Sequence, residues 1–333
     1  MLLALVLAAS AHAQVRVTDD YGREVRLAAS AQRVVSLAPH LTELMYAAGA
    51  GAKLAGAIDY SDYPPEAKAL PRVGSEAAID LEALLALAPD LVIAWPNAGS
   101  ARAVERIAAL GIPVFRSEPR ELEDIARTLE TLGTLAGTGS AARAAARAFR
   151  ARAAEIERTY GQRPRVRVFY QVWDRPLVTV TGAHVISKAM RLCGAENVLA
   201  GLPGIAPEID RETVLRANPE AIVASSPDGG RPAWLDDWRA FPALAAVRQG
   251  NLYAIRPELL QRHTPRLLDG AEELCRILEE VRGKRVPKPA ARQSDAVGAQ
   301  RAAAGSPRLS YGRGTTSGNT FTTAPTFLTL RRN

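Results

Sequence analysis

Residues 80–94, DLEALLALAPDLVIA, return as residues 210–224, DRETVLRANPEAIVA, without a gap at an offset of 130. Asp80/Asp210, Glu82/Glu212, Leu85/Leu215, Pro89/Pro219 and Ala94/Ala224 are identical. Each copy has the same local logic. An Asp is a good N-cap, and a Glu two residues on sits where the helix dipole favours it. Apolar residues follow, a Pro stops the helix, and an apolar run such as Leu91-Val92-Ile93-Ala94 reads as a buried strand. A second pair aligns at an offset of 145: Met45, Gly49, Ala50, Leu54, Ala55 and Gly56 match Met190, Gly194, Ala195, Leu199, Ala200 and Gly201. Two pairs in the same order indicate two related lobes. Two similar lobes with a cleft between them make a clamp for a ligand.

Working outward, the first lobe starts near Arg33 and alternates strand and helix. The strands are residues 34–37, 54–57, 91–94 and one beginning at 113–115. The helices are residues 42–48, stopped by Gly49, then 80–87, 101–110, stopped by Gly111, and 121–132. The second lobe opens on the alternating strand at 166–171. It continues with helix 185–193 before Gly194, the repeated helix and strand, strand 252–255 and helix 265–281. Such alternation implies an α/β fold with mostly parallel sheets and right-handed crossovers. Trp234 and Trp238, four apart, read as core. Residues 140–160, SAARAAARAFRARAAEIERTY, hold no Gly or Pro and are strong helix formers. They predict a rigid helix roughly 31 Å long joining the lobes. Its arginines are read as a solvated face, since Arg is a good helix former.

The ends differ in kind. Residues 2–9 are apolar, and Ala11-His12-Ala13 offers a small-x-small cleavage site before Gln14. This reads as a secretory signal peptide without its basic n-region, the alternative being a buried N-terminal helix. It is too short to span a bilayer. From about Gly283 apolar periodicity is lost among Pro, Ala, Gly, Ser, Thr and Arg, which predicts a disordered tail. The expected organisation is therefore a signal peptide over 1–13 and an N-terminal lobe over 14–138. A connecting helix over 139–162, a C-terminal lobe over 163–284 and a tail over 285–333 follow. The net charge of +7 belongs to that tail: residues 283–333 hold nine Lys/Arg and one Asp, which leaves about −1 on residues 1–282. A basic-protein reading aimed at nucleic acid is thus misplaced. An exported chain with two cysteines, Cys193 and Cys275, suggests one disulfide, the alternative being two buried thiols.

Several segments then resemble a known family. They are Ser36-Leu37-Ala38-Pro39-His40-Leu41-Thr42-Glu43, Tyr60-Ser61-Asp62-Tyr63-Pro64-Pro65 and Leu91-Val92-Ile93-Ala94-Trp95. Cys193-Gly194-Ala195-Glu196-Asn197-Val198 and Arg262-His263-Thr264-Pro265-Arg266 belong with them. Over residues 30–282 the chain is similar to the periplasmic cobalamin-binding proteins of ATP-binding cassette importers. The resemblance implies two Rossmann-like lobes on one long helix, and an aromatic-lined cleft holding a corrinoid as cargo, with no cofactor. Matching aromatic positions are Tyr60, Trp95 and Trp173. Trp95 directly follows an apolar strand, where open parallel sheets bind ligands. Arg262 matches a position that contacts the ligand's polar groups, and Glu258 stands where the family carries Asp. Glu76 and Ala206 replace cleft tryptophans, which leaves cobalamin and cobinamide both open.

Glu82 and Glu212 sit at equivalent places on the two lobes. A first-turn glutamate is stabilised by the helix dipole whatever else it does. The resemblance implies that the pair docks into arginine pockets on the two permease subunits at the inner membrane. The implied protein is a periplasmic monomer that is not an enzyme and binds no nucleic acid. The alternatives are a haem or ferric-siderophore binder of the same fold, or a tetrapyrrole chelatase-like enzyme. Haem needs an axial ligand, for which Tyr60, His40, His184 and His263 are the candidates. The widely spaced histidines show no zinc pattern, and no Gly-x-Ser-x-Gly motif or phosphate loop is present.

Overall fold

Asp80 accepts a hydrogen bond from the backbone N–H of Ala83 at 2.9 Å, and Asp210 from that of Thr213 at 2.7 Å. Both repeated aspartates are thus helix caps. A computed structural model describes residues 14–285 apart from 97–98 and 227–229. The expected signal peptide and all of the expected tail beyond Arg285 lie outside the described residues. Arg285 itself belongs to the fold, ion-paired to Glu220 at 3.0 Å.

The N-terminal lobe contains β1 (Val15–Thr18), β2 (Glu24–Leu27), β3 (Val34–Ser36), α1 (Pro39–Ala47) and β4 (Leu54–Ala57). It continues with α2 (Leu81–Ala86), β5 (Leu91–Ala94), α3 (Ala101–Ala109), β6 (Val114–Arg116) and α4 (Leu122–Ala136). Helix α5 (Gly139–Tyr160) leads to the second lobe. That lobe holds β7 (Val166–Trp173), β8 (Val178–Thr179), α6 (Val185–Leu192), β9 (Ala195–Asn197), α7 (Arg211–Ala217) and β10 (Ala221–Ser225). It closes with α8 (Ala245–Arg248), β11 (Leu252–Ile255), α9 (Pro257–Leu260) and α10 (Leu267–Gly283).

The two lobes share one topology. The first sheet runs β4-β3-β5-β6, all parallel. The parallel strands of the second run β9-β7-β10-β11, the same order by position in each lobe, with β8 added antiparallel on β7. The likeness reaches single bonds. Ala88 and Asn218, equivalent in the repeat, both take φ of 43°, in the left-handed region. The Arg33 guanidinium donates to the Leu87 carbonyl and that of Arg167 to the Ala217 carbonyl, the last turns of α2 and α7. Asp90 and Glu220 each accept from the backbone of those same arginines. Gly49 and Gly194, which follow α1 and α6, have φ of 74° and 68°, which only glycine adopts without cost.

Residues 14–27 differ from the expectation of a lobe starting near Arg33. They form the β1–β2 hairpin, whose turn is tied by Asp19 accepting from Tyr21 and Arg23 N–H groups. Asp20 N–H donates to the Arg116 carbonyl, fixing the hairpin to β6. The strand expected at residues 113–115 is β6, and the remaining helices shift by a few residues at their ends, as fraying termini do.

Helix α5 is pinned on both sides. Arg150 pairs with Glu130 of α4 at 2.7 Å, and Arg152 with Asp269 of α10 at 2.6 Å. Gly133 lets α4 and α5 meet: a Cβ there would lie 2.2 Å from that of Ala142. One hydrophobic core runs unbroken from α1 and α4 through Ala142, Ala146 and Phe149 of α5 to α6 and α10. Separate clusters fill the far faces of each sheet, with Trp238 buried and Trp234 packed against the second. A continuous close-packed core between lobes resists a wide hinge motion. Cys193 at the end of α6 is disulfide-bonded to Cys275 on α10, as the cysteine count suggested. Among the described residues no helix is long and apolar enough to cross a membrane.

Candidate functional site

The carboxyl ends of the strands in both sheets lead to the groups that face the space between the lobes. Tyr60 follows β4, Trp95 follows β5 and Glu118 to Arg120 follow β6. In the second lobe, α9 and the segment through Arg262 and His263 follow β11. Open parallel sheets place ligands at these ends because the chain reverses direction there.

Two cavities open at this junction. A rim cavity of about 410 Å³ is lined by Tyr60 and Asp62 from one lobe and Glu258, Gln261 and Arg262 from the other. A smaller floor cavity of about 50 Å³ is lined by Trp95, Glu118 and Arg120 on one side and His184, Ile205 and His263 on the other.

Tyr60 is 80% exposed and sits at φ of 61°. That region is sterically unfavourable for a tyrosine, which is rarely held there without cause. Arg262 donates to its carbonyl at 3.0 Å, so the strained turn is braced from the opposite lobe while the ring stands free at the rim. Arg262 also meets Glu43 Oε1 at 2.7 Å and Asp62 Oδ1 at 2.8 Å. Arg266 donates to both oxygens of Glu43 at 3.0 Å, with its guanidinium 3.7 Å from the centre of the Tyr63 ring. Glu43 is buried on α1. It takes charge-assisted hydrogen bonds from two arginines of the other lobe, a strong arrangement because each bond joins opposite charges. Burial pushes the Asp62 carboxyl up, but the hydrogen bond and charge of Arg262, a backbone hydrogen bond and the charge of Arg266 together hold the group below its usual value. On the opposite side of the cleft Lys188 of α6 pairs with Glu121.

Between these ion pairs lie His40, His184 and His263. Ring centres are 5.7 Å apart for His40 and His263 and 5.8 Å for His184 and His263. Trp95 meets His40 edge-on at 5.5 Å and His263 at 6.2 Å. His184 caps α6, its Nδ1 accepting the Ile186 N–H at 3.1 Å. Burial lowers its pKa to about 3 and that of His263 to about 4, and pushes His40 well below the ordinary value. All three are therefore neutral near pH 7. The histidines looked isolated in the sequence, 144 and 79 residues apart. Folding brings them together, although among the described residues no group of side chains has the geometry to hold a metal ion.

This arrangement makes stability acid-sensitive. Folded-state values below the unfolded value mean that the unfolded chain binds more protons as pH falls. Stability is present above about pH 6.5 and is lost progressively toward about pH 4. For His263 alone the loss at about pH 5 is about 2 kcal/mol. Urea unfolding at pH 7.5 and 5 should show a smaller acid loss in His263→Phe than in the wild type. Equal losses in the two proteins would refute this role.

Of the residues singled out in the sequence, Tyr60, Glu258 and Arg262 share the rim cavity and Trp95 lines the floor. Trp173 ends β7, half exposed, with its indole N–H on the Arg175 carbonyl at 3.2 Å, and lines neither cavity. Ile205, 45% exposed on the floor, stands beside Ala206, where the resemblance had a tryptophan. Glu82 and Glu212 are exposed in the first turns of α2 and α7, and neither has an ion-pair partner among the described residues. The site residues that sequence reasoning passed over are Glu43 and Asp62, which it quoted in motifs but gave no role.

Two α/β lobes facing each other across a cleft, on one pinned helix, define a bilobed solute-binding protein. The chain belongs to the periplasmic binding protein family, whose pattern matches residues 34–259. It is 37% identical over 258 residues to the vitamin B12-binding protein of Vibrio parahaemolyticus serotype O3:K6, covering 76% of this chain and 92% of that one. It is 36% identical over 256 residues to that of Yersinia pestis, covering 76% and 89%. Among solved structures, the periplasmic vitamin B12 binding protein BtuF of Vibrio cholerae superposes with a TM-score of 0.69 at 36% identity, over 76% of this chain and 98% of that one. The periplasmic heme-binding protein RhuT from Roseiflexus sp. RS-1 gives 0.66 at 22% identity, over 76% and 99%. That second likeness is one of fold.

Proposed function

We propose that the protein captures a corrinoid, cobalamin or cobinamide, in the periplasm and delivers it to an ATP-binding cassette importer. The observation that carries this reading is the match at 36% identity, along 98% of its chain, to a solved vitamin B12 binding protein. The cleft is consistent with it: Tyr60 and Trp95 offer flat rings, and Glu258 and Arg262 offer polar contacts at the rim. We also assign Trp173, which lines neither cavity, as a third aromatic contact from the second lobe. The corrinoid is cargo and undergoes no reaction here. Absorbance titration with hydroxocobalamin, cobinamide and haem tests the reading. Tight haem binding without corrinoid binding would replace it by a haem carrier. Truncating a buried aromatic anchor commonly costs about 2 kcal/mol or more. Trp95→Ala should therefore weaken corrinoid binding by about thirtyfold, read by calorimetry; an unchanged affinity would remove Trp95 from the site.

Delivery rests on Glu82 and Glu212. A permease dimer has two related surfaces, and the two lobes present one exposed first-turn carboxylate each. Desolvated charge pairs at an interface cost about 2–5 kcal/mol when one partner is lost. Glu82→Arg with Glu212→Arg should abolish pull-down of the cognate importer and leave corrinoid affinity within about twofold. Normal docking by the double variant would move the partner surface elsewhere.

A further inference from the structure

The second lobe carries a recess outside the ligand cleft. Its volume is about 570 Å³, and Leu202, Pro203, Pro207 and Ile209 line it together with Glu208 and Asp210. Asp210 is the N-cap of α7, two residues before Glu212. Helix α7 runs back toward the start of β10, so its first turn stands at the carboxyl ends of the strands, on the cleft side of the lobe. Ile205, on the same loop between Pro203 and Pro207, lines the cleft floor. The first lobe does not repeat this lining. At the offset of 130, Ile79 matches Ile209, but Ala77 and Ala78 stand opposite Pro207 and Glu208. The segment there folds back on itself, with the Asp80 N–H on the carbonyl of buried Val73 at 2.9 Å.

The recess is preformed. The Ile209 N–H donates to the Leu177 carbonyl at 2.9 Å and the Thr179 N–H to the Pro207 carbonyl at 3.2 Å. Thr181 holds the rest of the loop, its N–H on the Ile205 carbonyl at 2.9 Å and its hydroxyl on the Gly204 carbonyl at 2.8 Å. Fixed walls lower the ordering cost of taking a partner. Charge then selects what enters. Glu208 and Glu212 are exposed and have no ion-pair partner among the described residues, and Asp210 is occupied at Oδ1 by Thr213. Of the arginines at hand, Arg211 pairs with Asp237 at 3.4 Å and Arg216 donates to Thr213 at 3.5 Å. Three carboxylates against one arginine without an acidic partner leave the patch acidic. A cationic side chain fits such a recess, its apolar stem along Leu202 and Ile209 and its charged head at the carboxylates.

We propose that this recess receives a loop of one importer subunit bearing an arginine or lysine, so that the second lobe docks through a socket and the first lobe does not. The inference rests on the importer reading above. Its volume exceeds that of one side chain, which leaves room for the residues flanking the cation. A dimer of like subunits offers the same loop to both lobes, and only the second lobe has the carboxylate of Glu208 to meet it.

The test is interferometry of the full chain on its purified cognate importer in nanodiscs. Glu208→Lys should weaken binding by about tenfold or more, because it sets like charges against each other across the interface. Pro203→Trp, which fills the recess without a change of charge, should weaken it by a similar factor. Both positions are exposed, so the fold is kept and cobinamide affinity should stay within about twofold. Ala78→Lys, at the matching exposed place of the first lobe, should change importer binding by less than about threefold. Normal docking by Pro203→Trp would overturn the socket, since nothing would then enter the recess. Equal losses in Ala78→Lys and Glu208→Lys would do the same, since charge would then act at long range on either lobe. A dimer of the chain alone in sedimentation, abolished by Pro203→Trp, would give the recess to a second copy instead. A wild type that binds no importer would sink the importer reading and the socket with it, an outcome distinct from a wild type that docks and variants that dock equally well.

Discussion

Glu43→Ala is expected to lower the unfolding free energy by about 3–5 kcal/mol, the usual cost of removing one partner from a buried ionic group. The carboxylate is 3% exposed on α1 and receives Arg262 and Arg266 from the opposite lobe. Its loss leaves two guanidinium groups partly desolvated, with Asp62, the Tyr60 carbonyl and the Tyr63 ring as their remaining contacts among those described. At about 2–4 °C per kcal/mol for a protein of this size, the thermal midpoint should fall by roughly 10 °C. Ligand affinity should fall as well, because Arg262 braces the Tyr60 turn through its carbonyl. Urea unfolding and corrinoid titration of the same variant provide the check. A change below about 1 kcal/mol would mean that solvent already screens the group, as it does for surface pairs. Glu43→Leu with Arg266→Met should recover part of the loss, since an apolar replacement leaves fewer charges unpaired.

The elements that sequence reading recovered are those whose cause is local. Asp80 and Asp210 cap their helices within three residues, and the apolar runs at 91–94 and 221–224 are buried strands. The repeat made the second lobe follow from the first. The β1–β2 hairpin was passed over although Val15, Val17, Val25 and Leu27 alternate with polar residues, because each strand has only four residues and so repeats the pattern too few times to stand out. Strands β8 and β9, of two and three residues, exist because β7 offers them an edge. Family resemblance and strand-end logic pointed to Tyr60, Trp95 and Arg262, which line the two cavities. The Glu43 network was not legible, since its partners lie 219 and 223 residues away. The same holds for the histidine cluster, which exists only once α1, the turn before α6 and the segment after α9 converge. Contacts of that kind are consequences of topology, and no local pattern in a single sequence announces them.

Removal of the Cys193–Cys275 bond by a double change to alanine should cost about 4 kcal/mol while leaving the ligand site intact. The bond closes a separation of 82 residues, and restricting an unfolded chain over a loop of that length contributes about 4–5 kcal/mol in the chain-entropy account. Both residues are fully buried in the core shared by α6 and α10, so the lost sulfur atoms add a small packing defect to that figure. The midpoint should fall by roughly 8–16 °C. Binding should be spared for a geometric reason. Cys193 follows the C-terminal end of α6, whereas His184 caps the N-terminal end that borders the cleft. The Arg282 guanidinium also ties the end of α10 to the Cys193 carbonyl at 2.6 Å, so α6 keeps a second attachment when the sulfurs are gone. Thermal melts and corrinoid titrations of the alanine variant are the measurement. Unchanged stability would show that the unfolded chain gains nothing from the cut. A large loss of affinity in a variant that remains folded would show that the staple positions His184 through the length of α6.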